Sequence, residues 1–297
     1  MNQKNKGILY IIIAAALMST GGIFIKSIQA SAITIAFTRS MIAGLVFLPF
    51  VQWKKVKFNK NFIQLILAYA YLMISFVLAT KLTTAANAII LQCTAPLWLY
   101  MAYIINGKKK IVAKELIPRI AILVGIFIIF LDPSNAGGGQ KAIIGNLLAL
   151  SSGIAYAIEQ YLFEKKYPMN DMSIIGIINL CIAGVAVVCL SSQISYATVT
   201  PINWLYLVLL GVVQIGISYL FFIKGVRFVS AFEASILSLL EPILNPLLVF
   251  FFIGEAPSIY TLIGFAGILS GIILSLVPEK NEYVQNTTII LPPEDIK

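Results

Sequence analysis

The sequence predicts an all-α integral membrane protein with ten transmembrane helices arranged as two inverted five-helix repeats. Of its 297 residues, 60% are hydrophobic and 11% are charged, whereas soluble domains carry about 25% charged residues. The apolar residues fall into ten stretches separated by short polar connections, and a bilayer core needs roughly 20 helical residues to cross it. These stretches are apolar on all sides rather than alternating as membrane strands do. Helices are therefore the predicted element throughout.

The ten predicted spans follow one another with short gaps. The fifth span is the shortest, because Pro118 and Arg119 occupy its first turn, where a proline fits and an arginine side chain reaches the interface. In chain order, the spans are Gly7–Ile25, Ala32–Val51, Phe62–Thr80, Ala85–Ile105, Ile117–Leu131, Ile143–Phe163, Ile174–Leu190, Ile202–Ile223, Ala231–Ile253 and Tyr260–Val277.

The distribution of the basic residues predicts the orientation. If the N-terminus is cytoplasmic, 17 of the 21 Lys and Arg residues fall on the inside; Lys26, Lys81 and Lys141 fall outside, and Arg39 lies within a span. Cytoplasmic loops of membrane proteins carry such an excess of positive charge. We therefore expect both termini in the cytoplasm, and the net charge of +9 needs no nucleic acid to explain it.

The second half of the chain repeats part of the first. Segment 84–98 aligns without a gap on segment 230–244, and residues such as Ala85/Ala231 and Pro96/Pro242 are identical in the pair. Five helices per half invert the second half relative to the first. The predicted organisation is a first repeat at 1–135, an external linker at 136–142, a second repeat at 143–278 and a cytoplasmic tail at 279–297.

Several kinds of chemistry have no support in the sequence. The chain has no histidine and three cysteines, all within spans, which argues against imidazole-based relays, a disulfide framework or a metal site. The glycine run at Gly137 lacks the Gly-Lys-Ser/Thr of a phosphate-binding loop. We therefore predict no cofactor, no bound metal and no enzymatic activity.

Five segments together resemble the EamA-type members of the drug/metabolite transporter superfamily. They are Met18–Lys26, the Phe-Thr-Arg-Ser segment at Phe37, the span-four stretch Ala85–Pro96, Ser151–Ala157, and the region from Ser230 through Leu240-Glu-Pro to the Gly-Glu at Glu255. The resemblance implies a carrier that works by alternating access around a central cavity lined by spans one, three, four, six, eight and nine. The chain departs from the resemblance at Gly107-Lys108-Lys109, because many relatives have an acidic residue at this end of span four. The role of that carboxylate is therefore carried here only by Glu255, in the second half.

Glu241 is the first candidate for a substrate-binding residue. It lies about ten residues into span nine, which is about 15 Å or half the bilayer, and an ionisable group at that depth marks a functional position by default. Ser238 and Asn245 lie on the same helical face. The candidate hinges are Pro96, Pro242 and Pro246, which interrupt the helical hydrogen bonding of spans four and nine. The alternative is that Glu241 only stabilises a kink.

Three other charged residues in the spans have weaker functional readings. Glu159, with Tyr156 on its face of span six, either binds substrate or pairs with nearby lysines. Glu233 at the start of span nine is expected to be an interfacial carboxylate favoured by the helix dipole. Arg39 is expected to anchor a structural network or to pair with Glu241.

The uncharged candidates follow from helical faces. Ser, Thr, Asn and Gln also hydrogen-bond between membrane helices without any substrate, so each has a structural alternative. The aromatic members suit an ammonium group through cation–π attraction. The candidates are Asn87, Thr94 and Trp98 on span four, Gln214 and Ser218 on span eight, and Tyr71 on span three.

The sequence-based hypothesis is a secondary carrier in the bacterial cytoplasmic membrane that exports small amine-bearing metabolites such as amino acids. Its expected partners are a small-molecule substrate, membrane lipid and a coupling proton or other ion, with a homodimer left open. The rival hypotheses are an importer of choline or another quaternary ammonium compound, a lipid flippase, and an integral-membrane enzyme or assembly factor.

Overall fold

Helices account for nearly all of the structure, a computed structural model that describes residues 3–105, 107, 113–132, 139–163, 165, 167–225, 228–229 and 237–276. Predictions on Glu233, on residues 136–138 of the linker and on the 279–297 tail lie outside these residues. In the first half, the helices are α1 (Gln3–Met18), α2 (Gly21–Ser27), α3 (Ala32–Phe47), α4 (Lys60–Leu82), α5 (Ala85–Gln92), α6 (Ala95–Ile105) and α7 (Ala113–Phe130).

The second half contains the same kinds of element. Its helices are α8 (Gly139–Phe163), α9 (Asp171–Leu190), α10 (Pro201–Leu209), α11 (Ser218–Gly225), α12 (Leu240–Ile253) and α13 (Ile259–Leu276). A π-helical segment, Leu210–Ile217, joins α10 to α11. Within the described residues, seven helical stretches are long and apolar enough to cross a membrane and three more are shorter apolar helices. The predicted helical membrane fold is confirmed.

Local signals in the sequence explain where several helices begin. The side chains of Ser31, Asn59, Thr84 and Asn170 accept hydrogen bonds from backbone N–H groups in the first turns of α3, α4, α5 and α9. Such caps satisfy donors that a helix leaves unpaired. Gly254 ends α12 with a φ of 79°, a left-handed conformation that glycine adopts at little cost.

Four predicted spans are not single continuous α-helices. Span one breaks at Ser19 and Thr20, span four breaks at Cys93 and Thr94, span eight contains the π-helical segment, and span nine has a turn at Leu239 before α12. Prolines occupy the first turn after two of these breaks, at Pro96 and Pro242. Under the alignment of segments 84–98 and 230–244, the two proline-flanked breaks correspond to one another.

The helices pack in pairs. Helix α4 lies along α8, α7 along α13, α3 along α9, and α1 along α11. Toward the end of the bundle where α2 and α12 finish, α12 also packs against α2 and α5. We call this the lysine-poor end, and the opposite end, where α1 and α4 begin and α8 finishes, the lysine-rich end.

Candidate functional site

A cluster of tyrosines lies among the charged residues in the middle of the bundle. Tyr69 on α4 and Tyr219 on α11 lie beside each other and interact. Arg39 is 1% exposed, and its Nη2 donates to the backbone oxygen of Met73 over 3.1 Å. Its guanidinium also interacts electrostatically with both tyrosines. Arg39 therefore anchors a network across α3, α4 and α11, and it makes no ion pair with Glu241.

The two carboxylates of the spans both interact with the cluster. Tyr219 interacts electrostatically with Glu159 on α8, with Glu241 on α12 and with Tyr156 on α8. Glu159 is 2% exposed, and its Oε2 has no hydrogen-bond partner. Glu241 is instead partly accessible, and its neighbourhood includes Cys93 on span four. Of the two, Glu241 is the more exposed carboxylate.

The break in span one receives two amide side chains from the second half. Asn245 donates from Nδ2 to the backbone oxygen of Ser19 over 3.0 Å, and Gln214 packs against Gly21. A methyl group on Gly22 would lie 2.5 Å from Asn245 Oδ1, so only glycine permits this approach of α2 to α12. The oxygens Asn245 Oδ1 and Gln214 Oε1 are buried and accept no hydrogen bond.

The remaining candidates near this level make local bonds. Thr94 at the break of span four donates to the backbone oxygen of Leu91 and accepts from Trp98 Nε1 over 3.1 Å. Ser218 donates to the backbone oxygen of Gln214, which satisfies a carbonyl in the π-helical segment. Ser238 is half-buried one turn before Glu241. The contacts of Thr94 and Ser218 stabilise the interruptions of spans four and eight.

Asn87 lies away from Glu241, in a buried network near the lysine-poor end. Its Nδ2 donates to Asn146 Oδ1 over 3.3 Å and its Oδ1 accepts from Thr261 over 2.7 Å. Thr83 donates to the same Asn146 oxygen over 2.7 Å. The network joins helices from both halves and satisfies the amide of Asn87 without a ligand.

An ion pair spans the halves beside this network. Lys26 Nζ lies 2.7 Å from Glu255 Oε2 and donates to the backbone oxygen of Thr83 over 2.6 Å. Glu255 Oε1 accepts from the backbone N–H of Ala85 over 2.6 Å. The ends of α2, α4 and α12 and the start of α5 are therefore held together, and we call this arrangement of the lysine-poor end closed.

Tyr71, like Asn87, is a candidate that the structure does not bring to Glu241. Its side chain is 49% exposed on the opposite side of α4 from Tyr69, where its hydroxyl lies 2.9 Å from Ser151 Oγ.

Sequence analysis missed Tyr69, Tyr219 and the Lys26–Glu255 pair. The tyrosines carry no charge and match no motif, and the pair joins residues more than 200 positions apart. The break in span one did carry a signal, since Ser19-Thr20-Gly21-Gly22 is typical of an interrupted helix. Within the part of the chain that the structure describes, no group of His, Cys, Asp and Glu residues could hold a metal ion.

Comparison with known proteins agrees with this architecture. The model of the EamA-like transporter family matches residues 5–131 and 143–277. An uncharacterized transporter of Archaeoglobus fulgidus is 25% identical over 265 residues, 89% of this chain and 94% of the relative. The uncharacterized transporter YxxF of Bacillus subtilis is 25% identical over 293 residues, 93% of this chain and 91% of the relative. A solved crystal structure with 17% identity covers 92% of this chain and 97% of its own with a TM-score of 0.62, which supports the fold alone.

A helical membrane fold with broken helices around a polar centre is typical of secondary transporters. The chain belongs to the EamA-like transporter family, whose fold is a ten-helix inverted repeat. It is thus a multi-pass membrane transporter of the drug/metabolite transporter type.

Proposed function

We propose that this protein is a secondary carrier that exports small amine-bearing metabolites, such as amino acids, across the bacterial cytoplasmic membrane. The observation that carries the proposal is Glu241, a carboxylate about ten residues into the predicted span nine that is half-buried and interacts with Tyr219. An ionised carboxylate at that depth needs a cationic partner. Aromatic faces add attraction for an ammonium group.

The charge balance of the centre favours a cationic ligand. Among the residues that the structure describes, the central cluster holds one cationic side chain, Arg39, and two carboxylates, Glu159 and Glu241, so one negative charge is left over when both carboxylates are ionised. A substrate ammonium group or a proton on Glu241 would neutralise it. The orphan oxygens of Asn245 and Gln214 would accept further N–H donors of the substrate. These residues form the proposed binding site together with Ser238, Glu159, Tyr156, Trp98 and Thr94.

The proposed mechanism is rocking of the first half, 1–135, against the second, 143–278, with both termini in the cytoplasm. Pro96, Pro242 and Pro246 lie at or beside the breaks and the turn of spans four and nine, where bending costs the fewest helical hydrogen bonds. In this proposal the closed lysine-poor end is the extracellular one, so the structure corresponds to the inward-facing state of the carrier.

Uptake into proteoliposomes and thermal unfolding of purified protein would test the proposal. We expect one of a panel of amino acids, polyamines, choline and betaines to raise the melting temperature, because a ligand that binds the folded state stabilises it. Glu241→Gln should remove that shift and reduce transport about tenfold or more, equivalent to about 1.4 kcal/mol.

The matched control is Asp171→Asn, which removes an exposed carboxylate at the start of α9 and should leave both measurements unchanged. A response to choline alone would favour the importer of quaternary ammonium compounds. Full transport and an unchanged pH dependence in Glu241→Gln would refute the assignment of Glu241.

A further inference from the structure

A groove lies between α4 and α8 on their outer side, away from the central cluster. It has a volume of about 680 Å³, and its lining is almost entirely apolar. Leu67 and Ile158 in its wall are 63% and 44% exposed. On α4, the lining side chains point away from Tyr69, which belongs to the central cluster. The groove is therefore separate from the proposed substrate site.

The length of the groove matches one leaflet of a bilayer. Its lining on α8 runs from Ser151 to Leu162, which is about 16 Å of helix. Half of a hydrocarbon core is about 15 Å thick. The hydrogen bond of 2.9 Å between Tyr71 and Ser151 bridges the two helices at the inner end of the groove, so its depth ends near the middle of the membrane.

Two lysines lie at the opposite, lysine-rich end of the groove. Lys60 begins α4 on the same helical face as the lining residues Gln64 and Leu67, and it is exposed. Lys165 follows α8 and places its Nζ 4.9 Å from the centre of the Tyr161 ring, which lines the groove. An apolar channel one leaflet deep with two cations at the membrane surface is complementary to an acyl chain attached to an anionic headgroup.

We infer that the groove between α4 and α8 is a binding site for an anionic phospholipid. One acyl chain lies between Leu67 and Ile158, and the phosphate lies between Lys60 and Lys165. Because α4 belongs to the first half and α8 to the second, a lipid seated there contacts both halves. Its occupancy therefore stabilises the arrangement in which these helices are packed together.

Melting temperatures of the full chain in detergent, titrated with micellar phosphatidylglycerol or phosphatidylcholine, would test the inference. We expect phosphatidylglycerol to stabilise the protein at a concentration at least about fivefold lower than phosphatidylcholine. The double variant Lys60→Gln/Lys165→Gln should abolish that preference, and Ile158→Trp should weaken the response to both lipids by filling the groove. Native mass spectrometry should show one retained phosphatidylglycerol molecule fewer in either variant.

The matched controls are Lys141→Gln, at the opposite end of α8, and Leu123→Trp, at a 50% exposed position of α7. Both should behave as the natural sequence does. Equal responses to the two lipids in the natural protein, or an unchanged preference in the lysine variant, would show only a nonspecific lipid annulus and overturn the inference. A change in oligomeric state with Ile158→Trp at an unchanged lipid response would instead identify the groove as an interface between copies. The lysine variant keeps the test decisive if Ile158→Trp fails to fold, because Lys60 is exposed and Lys165 is only half-buried beyond the end of α8.

Discussion

Lys26 and Glu255 show how two charged residues close one end of the molecule. Their side chains are 17% and 23% exposed, so the pair is partly shielded from water and is more than a surface ion pair. Both partners also bond to the backbone between α4 and α5, which ties the geometry of the pair to the position of span four. The pair therefore depends on the closed arrangement and contributes to it.

We predict a coupling energy of about 1 kcal/mol between Lys26 and Glu255, because the pair is charge-assisted but still partly hydrated. Thermal unfolding of Lys26→Met, Glu255→Gln and the double variant would measure it as a double-mutant cycle. Lys141→Met, an exposed lysine at the same end, serves as the control. Additive effects of the two substitutions would show that the ion pair does not stabilise the closed end.

Glycines determine which of the helix pairs come closest. Helices α7 and α13 meet through Gly125 and Gly264, where a methyl group on Gly125 would lie 2.5 Å from the backbone oxygen of Gly264. The backbone oxygen of Gly264 cannot avoid such a methyl group by a change of rotamer, as a side chain could. Membrane helices associate through such small residues because packing, not the hydrophobic effect, holds them together. The pair α7–α13 is thus a rigid element at the side of the bundle.

Gly125→Ala should lower the stability of the protein by about 1–3 kcal/mol, as overpacked substitutions do. Gly184→Ala on α9 is the matched control, because a methyl group there would have open space around it and alanine favours a helix. Thermal unfolding in one detergent compares the two variants. Equal melting temperatures would mean that α7 and α13 separate without cost and that the packing described for them is wrong.

The breaks in the spans have a common effect on the elements around the centre. Each frees backbone polar groups from the helical ladder, and in a membrane such groups are tolerated only where protein or a water-filled cavity satisfies them. Asn245 satisfies the oxygen of Ser19, and Ser218 satisfies that of Gln214. The side chains that satisfy the breaks therefore come in part from another span, as Asn245 does, and in part from the interrupted span itself, as Ser218 does.

At the scale of the whole molecule, the closed lysine-poor end has a measurable consequence for access to the centre. Cys93 lies half-buried at the break of span four, in the neighbourhood of Glu241. The ion pair and the Asn87 network lie between Cys93 and the lysine-poor face. A reagent that approaches from that face is therefore blocked while the end stays closed.

We predict that Lys26→Met/Glu255→Gln increases labelling of Cys93 by a membrane-impermeant maleimide added on the side of the lysine-poor end. Both proteins compared should also carry Cys181→Ser and Cys189→Ser, so that Cys93 is the one remaining cysteine. The measured quantity is the labelling rate with the ion-pair substitutions divided by the rate without them. We expect an increase of several fold, because loss of about 1 kcal/mol from the closed state raises the open population about fivefold. An unchanged rate would exclude the ion pair as the barrier on this route.

Composition and spacing alone predicted much of the fold. The ten spans and their helical nature followed from apolar runs, and the family followed from the resemblance of five short segments. The caps at Asn59 and Thr84, which the structure shows, also depend only on local sequence. These properties depend on residues within one or two turns of each other and on the cost of burying a backbone without hydrogen bonds. Glu241 also stood out, because any carboxylate in an apolar run does.

The arrangement of the candidate site could not be predicted from the sequence. Which face of α4 is central was decided by packing, which placed Tyr69 in the cluster and Tyr71 in the outer groove. Asn87 and Asn245 looked alike as polar residues in spans, yet packing placed one in a closed network and left the other with an unpaired oxygen. The sequence by itself determined the ten membrane helices and the charged residue at their middle. Only the tertiary structure decided which side chains surround that charge, because contacts between distant spans depend on how helices rotate and approach one another.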